Sequence, residues 1–229
     1  MRLLRNGLAG IALLLMSALA CAAGLHFPTD DAAVLERGQV QLEGWVLRVD
    51  GRNGELAALP AIGVDGSVEL ALGVIRVRED GDDFNRLEPE VKWQLPLALP
   101  AGWSAALGAI AGVEEGRLED WLVNLPLSYE FGAMPLAVHL NAGWLRERDP
   151  SRGNLDRLFT GIGAEWDLAP QVGLIGQVYR EGAEAEPEAQ AGLRLAIGER
   201  MESLDFVVGR PLRGDDKDWF VVAGFTAVF

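Results

Sequence analysis

The sequence predicts an all-β fold, an antiparallel up-and-down transmembrane β-barrel of about twelve strands, on three observations. Apolar and polar residues alternate with period two in segments near the ~9–11 residues that a tilted strand needs to cross a bilayer. Residues 1–23 read as a secretory signal peptide, so the chain is exported. Beyond Ala23 every apolar stretch is broken within a few residues by Glu, Asp, Arg, Gly or Pro, which excludes membrane-spanning helices. The closed barrel is the other architecture that satisfies its backbone in lipid. A water-soluble β-sandwich is the rival reading.

The signal opens on Arg2 and Arg5 and runs uncharged from Leu8 to Ala23 through Ile11, Leu13, Leu14, Leu15 and Met16. This run is shorter than the roughly 20 apolar residues of a spanning helix. Small residues (Ala18, Ala20, Ala22, Ala23) mark cleavage after Ala22 or Ala23. The alternative is a lipoprotein signal acylated at Cys21, but Ala18 stands three residues before it, where a bulky aliphatic residue is usual. Cys21 is the one cysteine, so cleavage leaves no thiol, no disulfide and no cysteine-ligated metal. Removing Arg2 and Arg5 from 20 basic against 34 acidic side chains leaves a net charge of −16, which repels nucleic acid. Residues 24–37 then form an N-terminal periplasmic segment and 38–229 the barrel.

Four segments alternate most clearly. Leu87, Pro89, Val91, Trp93 and Leu95 face lipid while Glu88, Glu90, Lys92 and Gln94 face inward. The same holds for Trp121 to Phe131, Leu136 to Trp144 and Leu158 to Trp166. Weaker segments supply eight more: Val40 to Val49, Glu55 to Gly63, Ser67 to Val77, Trp103 to Val113, Val172 to Glu181, Glu188 to Ile197, Glu202 to Gly209 and Trp219 to Phe229. Pro60 interrupts the second of these; losing it with a neighbour would leave ten strands. Connections alternate between short turns, such as Val64 to Gly66, and charged stretches such as Glu79 to Asn85, Glu114 to Glu119, Arg146 to Asn154 and Pro211 to Lys217. That predicts short periplasmic turns and longer outer loops. An even strand number places both termini on the periplasmic side.

Tryptophans sort toward strand ends, Trp93, Trp103 and Trp166 at the periplasmic side and Trp121, Trp144 and Trp219 at the outer side, as two aromatic girdles would. The last strand ends on Phe229, an aromatic terminus that resembles the signal outer-membrane proteins present to their insertion machinery.

The string HFPTDDAAVLERGQVQLE, His26 to Glu43, resembles the opening of outer-membrane barrels described as transporters or meta-pathway phenol-degradation proteins. Thr29, Asp30, Asp31 and Ala32, then Gly38 and Glu43, carry the likeness. The resemblance implies an outer-membrane channel for small hydrophobic or aromatic compounds.

If the apolar faces meet lipid, the lumen receives Glu43, Glu69, Glu88, Glu90, Glu130, Glu165, Asp167, Glu188 and Asp205 against Lys92 and Arg194, with His139 also inward. Carboxylate rings favour cations and neutral solutes; a side-chain-filled, closed interior is the competing reading. Inward Gly and Ala residues, among them Gly112, Gly161 and Gly163, fit either a spacious lumen or tight strand curvature. Thr29, Asp30 and Asp31 form either a solvated tail, the preferred reading, or a small plug. The Glu79–Asn85 acids lack the ligand order of a calcium loop, and Arg213, Gly214, Asp215 is a coincidental adhesion tripeptide. No serine stands two residues from His26 or His139, and no metal cluster or phosphate loop is evident, so neither enzyme nor cofactor is expected. The expected function is passive passage of small solutes, with a non-conducting structural or surface-interaction barrel as the alternative. The expected partners are outer-membrane lipid, lipopolysaccharide, the insertion machinery and a small-molecule solute.

Overall fold

The computed structural model describes residues 27–49, 52–149, 151–182, 185–198, 203–213 and 219–229. The signal peptide, Cys21, His26 and the Gly214–Asp215 part of the tripeptide lie outside them.

Twelve strands form the wall: β1 Val40–Arg48, β2 Gly54–Gly63, β3 Val68–Glu79, β4 Asp82–Gln94, β5 Trp103–Glu114, β6 Arg117–Glu130, β7 Leu136–Asp149, β8 Gly153–Ala169, β9 Val172–Glu181, β10 Glu188–Ala196, β11 Ser203–Pro211 and β12 Phe220–Val228. Each pairs antiparallel with its sequence neighbours, and β1 closes the sheet on β12. At the seam Val40 and Phe229 exchange both backbone bonds, at 3.1 and 2.8 Å. Full closure leaves no edge, which is what a sheet in lipid requires.

The distribution of polarity is inverted relative to a soluble sandwich. Outward Leu56, Leu158 and Phe206 are 59, 62 and 50% exposed, whereas inward Glu43, Asp205 and Lys92 are 1, 1 and 2% exposed. Apolar outside and charged inside is stable only with a lipid solvent, so the sandwich reading falls. Trp93, Trp103, Trp144, Trp166 and Trp219 are all exposed on the outer wall, and Trp121 packs edge-on against Trp144 at 4.9 Å. Trp144 pairs with Leu158 and Trp166 with Leu136, so eight residues of β8 separate the two tryptophan levels. At ~3.3 Å per residue and a tilt of ~40° the levels lie about 20 Å apart, close to the ~25 Å apolar band of such barrels.

Three prolines show how a strand tolerates a missing donor. Pro60 pairs with Leu42 of β1, but the β2–β3 ladder skips from Ala58 to Ala61. Pro89 pairs with Leu72 while the β4–β5 ladder skips from Leu87 to Glu90. Pro126 pairs with Asn141 while the β5–β6 ladder skips from Leu127 to Asn124. Each proline interrupts one ladder and keeps the other, so β2 is a full strand and the count is twelve rather than ten.

The long outer loops expected over Glu79–Asn85, Glu114–Glu119 and Arg146–Asn154 are corrected. Strands β3 to β8 continue through these charges to tight hairpins. Asp80 (φ 52°) with Gly81 (φ 96°), and Glu115 (φ 49°) with Gly116 (φ 77°), are two-residue turns in which both residues are left-handed, the type I′ requirement. Such a turn matches the twist of the strands, so the ladder runs to its edge, and the charges sit on protruding strand. The Asp83 carboxylate accepts from Arg78 at 2.9 Å and lies 3.2 Å from Arg76. At the opposite, terminal end the β4–β5 connection, residues 95–102, is longer than these hairpins. Gly116 has open space around the position of a Cβ. Gly116→Val is therefore expected to cost only the left-handed backbone penalty, about 1–2 kcal/mol. Urea unfolding of the refolded barrel measures it, and an unchanged midpoint would contradict it.

Candidate functional site

Residues 27–37 do not hang in solvent, as the preferred sequence reading has it; they fold into the lumen from the terminal end. Backbone groups that would otherwise be unpaired find partners on four strands. The Thr29 amide donates to Gln177 Oε1 at 2.9 Å, and the Thr29 hydroxyl binds the same oxygen. Asp30 N donates to Asn141 Oδ1 at 3.0 Å and Asn141 Nδ2 donates back to Asp30 O at 2.7 Å. Ala32 N donates to Ser128 Oγ at 2.9 Å, and Leu35 N to Glu69 Oε2 at 2.9 Å. Lys92 Nζ donates to Asp30 Oδ1 at 2.8 Å and lies 3.6 Å from Asp31 Oδ1, with its side chain 3% exposed. Phe27 closes the segment by packing with Trp45, Leu59, Ile175 and Phe220.

Glycine makes this fit. A Cβ at Gly161 would run into Thr29 Cγ2, and one at Gly163 would stand 2.7 Å from Thr29 Oγ1. A Cβ at Gly112 would meet the Arg86 guanidinium. At these three positions the inward glycines therefore receive specific side chains, a use distinct from both a spacious lumen and strand curvature.

Above the segment, toward the hairpin end, lies a cavity of about 420 Å³. Phe27, Pro28 and Asp30 form its floor, while Glu147 and Arg157, with side chains 42 and 35% exposed, stand at its mouth. Eight carboxylates line it (Asp30, Glu43, Glu69, Glu88, Glu90, Asp120, Glu147 and Glu181) against three cations, Arg86, Lys92 and Arg157. Each cation is already committed. Arg86 binds Glu88, Glu114 at 3.0 Å and Asp120 at 2.7 Å; Lys92 holds Asp30; Arg157 lies 3.0 Å from Glu147. The surplus is negative, so the field in the cavity attracts cations.

Of the residues predicted to line the lumen, Glu43, Glu69, Glu88, Glu90 and Lys92 meet at this cavity. His139 and Glu165 instead face a small pocket beside Thr29. Arg194 ties Glu165 at 2.9 Å to Asp205 at 2.9 Å. Glu188 accepts from the Tyr179 hydroxyl at 2.6 Å. Glu130 and Asp167 are exposed at the terminal rim and line neither space.

Sequence reasoning missed Arg86, Asp120, Glu147 and Arg157, which it assigned to loops or strand ends, and the pegging of the inner segment by Gln177, Asn141 and Ser128. Alternation extended through the charged stretches would have found the first group. It also missed a contact between Ser128 Oγ and His139 Nδ1 at 2.8 Å, because the two meet by cross-strand register rather than by a short sequence spacing. Ser128 and His139 are 4 and 6% exposed beneath the segment, and the hydroxyl already accepts from Ala32. The pair is placed to hold the segment rather than to meet a substrate.

A search of curated proteins finds no match. Among solved structures the chain is similar in fold to the KdgM porin, with a TM-score of 0.66 at 10% identity over 82% of this chain and 99% of that one. It is also similar to the COG4313 outer membrane channel from Pseudomonas putida F1, with a TM-score of 0.53 at 12% identity over 87% and 98%. Outer membrane phospholipase A from Escherichia coli follows with a TM-score of 0.51 at 9% identity over 93% and 96%. At these identities the likeness is one of fold, that of outer-membrane barrels, and none of the three singles out the phenol-degradation-like proteins that residues 26–43 resemble. The family model described as "Uncharacterised conserved protein UCP029691" matches residues 11–229, nearly the whole chain, so the protein belongs to that family.

Proposed function

We propose that the protein is an outer-membrane channel for small cationic or neutral solutes carrying an apolar part, closed at its periplasmic end by its own N-terminal segment. One observation carries this reading: the cavity's floor is Phe27, Pro28 and Asp30 of the inner segment, which backbone–side-chain bonds and one ion pair hold in place, rather than covalent wall. A floor of that kind can withdraw while the twelve-stranded wall stays intact. The termini share one end, and export from within makes that end periplasmic, so the cavity opens outward.

The acidic surplus selects against anions, and Phe27, Leu59, Leu122 and Phe159 give an aliphatic or aromatic solute body an apolar surface. The fold-level likeness to a porin and a channel supports transport. The buried, engaged state of Ser128 argues against a hydrolase, although one barrel of similar fold is a phospholipase. In this reading the exposed apolar wall meets outer-membrane lipid, the tryptophan levels lie at its two interfaces, lipopolysaccharide meets the outer rim, and the strand ending at Phe229 engages the insertion machinery.

The test is single-channel recording of refolded protein in planar bilayers under a potassium chloride gradient. Infrequent openings with a cation-selective reversal potential are expected. A folded barrel that stays silent even after its inner segment is released would sink passage. It would leave the non-conducting structural barrel, which the side-chain-filled terminal half otherwise favours.

A further inference from the structure

The cavity's unmet hydrogen-bonding demand is for donors. Glu43 is 1% exposed and lines the cavity; its Oε1 accepts from Gln41 Nε2 at 2.5 Å, but its Oε2 has no partner among the described residues. Asn124, 5% exposed and also lining the cavity, donates through Nδ2 to Asn141, while its Oδ1 has no partner. Glu90 lines the same space, and its carboxylate enters no side-chain hydrogen bond or ion pair among the described residues. A buried acceptor without a donor costs roughly 1–3 kcal/mol, more when charged, so each of these positions favours an incoming N–H.

The opposite demand is absent. The three cations at the cavity all face protein carboxylates, so an anionic ligand would have to displace one of these pairs. A bare metal ion fits poorly too, because no three metal-ligating side chains converge among the described residues. The apolar lining of Phe27, Phe159, Leu59 and Leu122 suits a carbon skeleton, and about 420 Å³ lies within the ~300–1,000 Å³ of small-molecule sites.

We propose that the cavity is a binding site for a small organic ammonium ion. Glu43 and Glu90 take up its N–H groups, Asn124 provides a neutral acceptor, and the ligand's apolar body lies against Phe27 and Phe159. The inference deepens the channel reading and rests on it for the route by which the ligand arrives. It narrows the solute class from small cations in general to amines with an aliphatic or aromatic body. It also explains why carboxylates are left open in a lumen where other acids are paired.

The test is isothermal titration of the full chain, refolded in zwitterionic micelles, with 2-phenylethylammonium, 2-phenylethanol and 3-phenylpropionate. Saturable one-to-one binding of the amine is expected, at least tenfold tighter than the alcohol, with no saturable binding of the acid. Glu43→Gln should weaken the amine at least tenfold and leave the alcohol unchanged. Glu90→Gln is the second variant if the first does not refold, and the three-ligand series on the unaltered protein decides without any variant. Equal affinity for amine and alcohol, or no saturation by the amine, overturns the proposal. Bilayer recordings on the same preparation separate the two readings. Amine binding by a barrel that conducts in no state removes the channel and keeps the site, whereas conduction without saturable amine binding removes the site and keeps the channel.

Discussion

Lys92→Met is expected to release the inner segment and raise channel opening more than a hundredfold. The lysine ammonium is buried between Asp30 at 2.8 Å and Asp31 at 3.6 Å, with its side chain 3% exposed. Removing one partner of a buried ion pair costs about 3–5 kcal/mol, since the remaining charges stay desolvated. At about 1.4 kcal/mol per factor of ten, this is a hundredfold or more in equilibrium. The segment, rather than the wall, should absorb that cost. Lys92 belongs to β4, whose backbone pairing with β3 and β5 does not depend on the side chain, and methionine keeps its length. Asp30 and Asp31 recover full hydration only by leaving the lumen. The contacts that remain, such as Ala32 N to Ser128 Oγ, are the same hydrogen bonds before and after the change, so the shift in the equilibrium is set by the two stranded carboxylates. Single-channel recording reads the opening, and hydrogen exchange at the Thr29, Asp30 and Ala32 amides reads the release. Wild-type conductance together with wild-type amide protection would show that the ion pair is not the latch.

The wall was legible in the sequence because alternation is a local signal. Trp93 outward and Lys92 inward follow from adjacent positions in one strand, and the register of every neighbour then follows from closure. The charged stretches misled for a physical reason. Charge near a strand end is consistent with a loop, but Asp80–Gly81 and Glu115–Gly116 form the two-residue turn that lets pairing run through it. Reading those dipeptides as hairpin turns would have carried the alternation through to Arg86 and Asp120. The inner segment was read only as the less favoured alternative, a small plug at Thr29, Asp30 and Asp31, for another reason. Thr29 meets Gln177 across 148 residues, and Asp30 meets Asn141 across 111, so no periodicity or spacing encodes the contact. Inward glycines at Gly161 and Gly163 were the trace it left on the wall, but that trace reads only once Thr29 is seen against them.

That trace supplies a second route to the open state, one that changes no charge. Gly161→Val is expected to evict the inner segment because its Cβ would enter the space of Thr29 Cγ2, and the two valine methyls extend further into it. Overpacking of this kind costs about 1–3 kcal/mol, so opening should rise roughly tenfold to a hundredfold. The wall should be unharmed. Gly161 lies mid-strand, paired with Asn141 on β7 and Tyr179 on β9, where a β-branched residue is a better strand former than glycine. The unfolding midpoint should therefore hold or rise while conductance increases, a combination that general destabilisation cannot produce. Gly108→Val is the control, since Gly108 lines the cavity and a Cβ there meets only the Asn124 carbonyl oxygen at 3.9 Å, away from the segment. It should narrow the cavity and leave the segment seated. Combining Gly161→Val with Lys92→Met should give the same open-channel conductance as either single change, with an open probability at least that of the stronger one, because both populate one state. If Gly161→Val opens the channel and Lys92→Met does not, shape holds the segment and the ion pair merely accompanies it. If neither does, the floor of the cavity is not the gate.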